Sequence, residues 1–194
     1  MKKKGLTLTD ILVTVVIAII FAVIYKLWGP LYYALKPFGL HLEQAVYGMW
    51  FMAATVAFLI IRKPGVALLA EVAAASGELV MGAEWGLETL VYGVFQGLGA
   101  ELIFLIFAYK SYSLFVTSLA AIGATAGSFV MDTIRGYIFD YELWNLLLLI
   151  GMRTVGSIII VGVCAYYLVK ALESTGVTEL VRSSSKEDYD ALNK

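Results

Sequence analysis

Carboxylates are the residues of this chain that could do chemistry, because so many fall where water does not. Of the fifteen acidic residues, nine (Glu43, Glu71, Glu78, Glu84, Glu88, Glu101, Asp132, Asp140 and Glu142) lie within or beside long apolar runs. A carboxylate at the centre of a bilayer costs at least about 2.5–3.5 kcal/mol, so a buried one needs a proton, a partner or a ligand. Spacing collects several of them. Glu88, Tyr92 and Gln96 stand at i, i+4 and i+8, one stripe of a helix, and Glu43, Tyr47 and Trp50 share a face of another. At about 1.5 Å of rise per residue, Glu78, Glu84, Trp85, Asp132 and Asn145 reach the same end of a bundle. Carboxylates balance a positive charge, rings stack on it and an amide reads an edge. The expected ligand is a small, flat, cationic heteroaromatic. Glu71, Glu101 and Arg153 fall deeper. Arg153 is the one basic residue inside an apolar run, so a structural ion-pair cluster is expected there. That leaves no protein cation at the depth of Glu78, Gln96 and Asp132.

Blander roles suit other residues. Trp28, Tyr32, Tyr33, Trp85, Tyr137, Tyr141 and Trp144 fit an interfacial aromatic belt, so Trp85 has two candidate roles. Asp140 and Glu142 fit solvated loop charges, His41 an inert loop position, and Cys164 a packing position. No Ser/His, paired-His or paired-Asp arrangement has catalytic spacing, so neither an enzyme nor a metal or cofactor site is expected. Three small-xxx-small pairs, Ala18/Ala22, Gly93/Gly97 and Gly123/Gly127, would let helices approach closely. Internal packing is the expectation for the two glycine pairs.

The elements that must position these residues follow from composition. Of 194 residues, 61% are hydrophobic and 15% charged, and the mean hydropathy is +0.86. A soluble domain of this size has no interior for so much apolar side chain. Lys+Arg 14 against Asp+Glu 15 excludes a basic nucleic-acid binder. The apolar runs are continuous rather than alternating, which argues for helices over a barrel. The expected fold is an all-α integral membrane bundle of six transmembrane helices, over 10–28, 43–61, 64–81, 87–109, 114–134 and 143–172. It forms one domain, 1–174, followed by a polar, frayed cytoplasmic tail, 175–194. Ten of the fourteen lysines and arginines fall on the side of the N-terminus, against Lys26, Lys36 and Arg135 on the other. That bias puts both termini in the cytoplasm of a cell whose plasma membrane the chain crosses.

Several stretches resemble the YkoE family, the substrate-binding (S) components of energy-coupling factor (ECF) vitamin transporters. They are Phe21-Ala-Val-Ile-Tyr25, Tyr47-Gly-Met-Trp-Phe51, Ile61-Arg-Lys-Pro-Gly-Val-Ala67 leading to Glu71, and Phe95-Gln-Gly-Leu-Gly-Ala-Glu101. Ser128-Phe-Val-Met-Asp132 and Thr175-Gly-Val177 fit as well. The resemblance covers nearly the whole chain. It implies a six-helix S-component fold that binds thiamine or its hydroxymethylpyrimidine precursor from outside. It also implies assembly with a transmembrane coupling subunit and two ATPase domains, which hydrolyse the ATP. An Ala-xxx-Ala patch on the first helix contacts the coupling subunit in such proteins, and Ala18 and Ala22 match it. Glu71, Glu78, Gln96, Glu101 and Asp132 fall at positions that align with the family. Glu84 and Glu88 match no pattern of it. The rival reading is a proton-coupled secondary transporter of a small cationic solute, with Glu71 and Glu101 as relays, against which the short chain without repeats counts.

Overall fold

The computed structural model describes residues 5–180, which form helices and short connections with no strand among them. The bases at 2–4, 182, 186 and 194, and the tail from 181 on, lie outside the described residues. Helix α1 spans Leu8–Leu35 and runs through Pro30, past the expected end near Trp28. Its start is a capping box: the Thr7 side chain accepts from the Asp10 amide and Asp10 accepts from the Thr7 amide. The cap is therefore Thr7, and the helix begins two residues before the expected start at residue 10. After a turn, Leu42–Phe51 winds as a 3₁₀ helix and continues into α2, Met52–Ile61. Helix α3 is Val66–Val80, α4 is Leu87–Ile106 and α5 is Leu114–Ile134. Arg62 and Gly65 take left-handed backbone conformations at the α2–α3 turn. Gly65, rather than Pro64, stands at the start of α3. Helix α6, Leu143–Ser157, passes through a π-helical stretch, Ile158–Cys164, into α7, Ala165–Ser174.

Among the described residues, five helical segments are long and apolar enough to cross a membrane. The α3 helix is not one of them: it has 15 residues and two buried glutamates. Its neighbours α1 and α4 press close on it. A Cβ built on Gly93 of α4 would lie 2.5 Å from Ala75 Cβ of α3, and one on Gly127 of α5 2.1 Å from the Phe95 carbonyl oxygen of α4. Both glycine pairs are thus internal contacts, as small-residue spacing allows. The same holds for Ala18 and Ala22, which corrects the expectation of a partner-facing patch. Each is 3% exposed, and Ala22 Cβ meets Gly77 of α3 at 2.6 Å from that glycine's ideal Cβ. Outside α1 the exposed row is Leu12, Val16, Ile19 and Val23. The tail is not frayed from its first residue: Val177–Leu180 forms a 3₁₀ turn, and Thr178 is buried.

Candidate functional site

The 3₁₀ winding of Leu42–Phe51 builds the site. Three residues per turn place i, i+3 and i+6 on one line, so Gln44, Tyr47 and Trp50 form the inward row. The face expected from an α-helical period was Glu43, Tyr47 and Trp50. Close backbone contact holds the segment against α6. A Cβ on Gly156 would sit 2.0 Å from the Ala45 carbonyl oxygen, and one on Gly48 2.7 Å from Ser157 Cα. Side chains at either glycine would push the segment away from α6.

Two cavities lie beside this row and share Tyr47, Trp85 and Tyr92 as walls. The smaller, about 20 Å³, is lined by Glu78, Trp50, Gln96, Thr89 and Tyr25 among others. Trp50 Nε1 donates to Glu78 Oε1 at 3.2 Å, and Gln96 Nε2 donates to the Tyr47 hydroxyl at 3.3 Å. Glu78 is 4% exposed, yet its Oε2 has no hydrogen-bond partner, and neither has Thr89 Oγ1. None of the five ion pairs among the described residues involves Glu78. The aromatic wall is dense: Trp50 and Trp85 stand 5.2 Å apart, and Trp50 and Tyr32 5.4 Å, all edge to face.

The larger cavity, about 220 Å³, is lined by Arg153, Asp132, Lys36, Gln44 and several tyrosines. Here the structure overturns the expected ion-pair cluster. Arg153 donates from Nη1 to Asp132 Oδ2 at 2.6 Å and to Ser128 at 3.0 Å, and from Nε to Gln44 Oε1 at 2.8 Å. Its guanidinium lies 4.0 Å from the Tyr47 ring centroid and 4.5 Å from that of Phe129. Asp132 also accepts from the Tyr92 hydroxyl at 2.5 Å. A protein cation therefore does stand beside Asp132. The reason is side-chain direction: residues on a helix lean toward its N-terminus, and a long arginine carries that lean outward.

Glu71 and Glu101 do other work. The junction at Phe51 leaves the first amides of α2 without helical acceptors. The Tyr25 hydroxyl accepts from Ala53 N at 2.9 Å, Glu71 Oε2 accepts from Ala54 N at 3.1 Å, and Tyr25 donates to that same oxygen at 3.0 Å. Glu101 accepts from the amides of Gly65, Ala67 and Leu68 at the start of α3. Anions suit helix N-termini. Beyond α4, Tyr109 is bonded to Glu101, and burial first, then this carboxylate, pushes its phenol up to about 12.

Residues 9–127 match the family described as "ABC-type cobalt transport system, permease component". The chain is 35% identical over 175 residues, 90% of its length and 88% of the other's, to the "Putative HMP/thiamine permease protein YkoE" of Bacillus subtilis (strain 168). A crystal structure of an S component of an ECF transporter superposes with a TM-score of 0.88 at 31% identity, covering 97% of this chain and 96% of that one. The chain belongs to the YkoE family of S components. It is an all-helical membrane transport protein of the ECF S-component fold.

In this YkoE-family chain, Tyr47, Trp85, Tyr92 and Asp132 line the large cavity, and Glu78, Trp50 and Gln96 the small one. Three expected site residues line neither. Glu88 pairs with Arg135 and accepts from Tyr137. Glu84 is exposed and lies against Gly29. Asn145 is bonded to His41 at 2.7 Å, so that histidine has a structural role. Sequence reasoning missed Tyr25, Tyr32, Lys36, Gln44, Tyr137 and Tyr141 as lining residues. For Gln44 the signal was present, three residues ahead of Tyr47 and six ahead of Trp50. For Tyr32, Tyr137 and Tyr141, belt and cavity roles share one composition.

Proposed function

We propose that this S component binds thiamine or its hydroxymethylpyrimidine precursor from the outer side of the plasma membrane. It passes the ligand on within an ATP-driven importer whose coupling and ATPase subunits are separate chains. The observation that carries the reading is Glu78: a buried carboxylate with an unpartnered oxygen, boxed by Trp50, Trp85, Tyr25 and Tyr47 and in none of the ion pairs among the described residues. An amino group or fixed positive charge on a flat ring is what such an acceptor takes. Gln96 reads the ring's edge, and the rings stack on its faces. The name of the Bacillus subtilis relative points to the same ligands. The small cavity has room for about one water, so ring entry displaces Trp85. That residue sits in the 81–86 loop, where Gly82 and Gly86 have positive φ; this loop is the lid. In this reading α3 is a sixth crossing, short because α1 and α4 shield it, and both termini are cytoplasmic. Three backbone amides hold Glu101, and Ala54 N and the Tyr25 hydroxyl hold Glu71 Oε2, while Glu71 Oε1 has no hydrogen-bond partner; these contacts favour structural roles over a proton relay.

Titrating the purified protein with thiamine while following tryptophan fluorescence tests the reading. Saturable quenching is expected, at least tenfold weakened by Glu78→Gln and clearly weakened by Gln96→Ala. A flat titration, or one that both variants leave unchanged, overturns it.

A further inference from the structure

The two cavities carry opposite charge. In the small one Glu78 is the lining carboxylate and no basic residue lines it. In the large one Lys36 and Arg153 stand against Asp132. Both oxygens of Asp132 are already engaged, Oδ1 by Tyr92 and Oδ2 by Arg153. Arg153 spends Nε and Nη1 on protein acceptors, and its Nη2 has no hydrogen bond among the described residues. Lys36 has no ion-pair partner among them; its Nζ rests 4.8 Å from the Tyr33 ring centroid and 5.6 Å from that of Tyr32. The other acids nearby do not cancel this excess. Glu43 faces His41 at 3.6 Å and accepts from Gln44, Glu84 lies against Gly29, and Glu88 is paired with Arg135. None of the three lines the large cavity.

Resting on the reading of Glu78 as the ring's acceptor, we propose that the large cavity is a subsite for an anionic group on the ligand, with Lys36 and Arg153 Nη2 as its donors. The ligand class is a heteroaromatic with a cationic or amino-bearing ring at one end and a phosphomonoester at the other. The shared walls Tyr47, Trp85 and Tyr92 let one molecule occupy both cavities, and the charges set its direction: ring toward Glu78, phosphate toward Arg153 and Lys36. A phosphate needs several donors. The ammonium, the remaining guanidinium nitrogen and the tyrosine hydroxyls around them can supply these, and about 220 Å³ is ample for one phosphate.

The test compares thiamine with thiamine monophosphate on the purified full chain at low ionic strength. The monophosphate is expected to bind about tenfold more tightly, the worth of one added charge-assisted hydrogen bond, with the preference shrinking as salt is raised. Lys36→Glu is expected to abolish or invert the preference, and Lys36→Gln to leave a smaller one. Glu78→Gln should weaken both ligands by a similar factor. Equal or weaker binding of the monophosphate overturns the inference, as does a preference that both Lys36 variants leave intact. Saturable, Glu78-dependent thiamine binding without that preference overturns this inference alone. No saturable binding of either compound overturns the thiamine reading with it.

Discussion

Two acids in neighbouring cavities, Glu78 and Asp132, differ in what they cost the fold. Asp132 is matched by Arg153, which Gln44, Ser128 and two ring faces also hold. Removing one partner of a buried pair strands the other charge and costs about 3–5 kcal/mol. Arg153→Met should therefore lower the melting temperature in detergent sharply, and the double variant Arg153→Met, Asp132→Asn should recover most of the loss. Arg153→Lys should not substitute, because an ammonium cannot make the Nε and Nη1 bonds together. A double variant as unstable as Arg153→Met would mean that packing, not charge, is what Arg153 supplies. Glu78 behaves in the opposite way. One of its oxygens is unsatisfied, so Glu78→Gln should leave the melting temperature equal or higher while it weakens thiamine. That split separates a residue kept for the fold from one kept for the ligand.

Helices, at the next scale up, were readable from hydropathy where they are ordinary, and the exceptions have physical causes. The spans of α4 and α5 fall close to their apolar runs, because a bilayer helix must be continuous. The 3₁₀ segment Leu42–Phe51 could not be read, since its apolar content suits an α-helix equally and its winding depends on contact with Gly156 and Ser157 of α6. That winding shifts the inward row from Glu43 to Gln44. Depth along α6 was readable, but the outward reach of Arg153 was not. The Ala18/Ala22 pair could be seen as a close-approach face, yet spacing alone does not say whether the neighbour is α3 or another chain. With Ala22 against Gly77, Ala22→Leu has no room, and overpacking of this kind costs about 1–3 kcal/mol. It should lower the melting temperature and weaken ligand binding together. Ile19→Ala, on the 60% exposed face one residue on from Ala18, should leave the melting temperature nearly unchanged. Equal melting of both variants and the parent would show that α1 and α3 are not in this contact.

At the scale of the whole molecule, charge sorting carries the prediction of direction, and cavity placement says which end of the bundle it concerns. In the proposed orientation, the lysine and arginine bias sets the α4–α5 turn on the cytoplasmic side and the α5–α6 connection outside. The large cavity is lined by Tyr137, Ile138 and Tyr141 of that same α5–α6 connection, so the proposed orientation requires its entrance to face outward. Single cysteines test this directly, in a Cys164→Ser background that removes the native thiol. Phe139, 71% exposed beside the entrance, and Lys110, exposed in the α4–α5 turn, lie at opposite ends. Phe139→Cys should react with a membrane-impermeant maleimide in intact cells. Lys110→Cys should react only after permeabilisation. The reverse pattern would place the ligand entrance in the cytoplasm. An importer's binding subunit cannot load from that side, so the result would break the functional reading even if thiamine bound tightly.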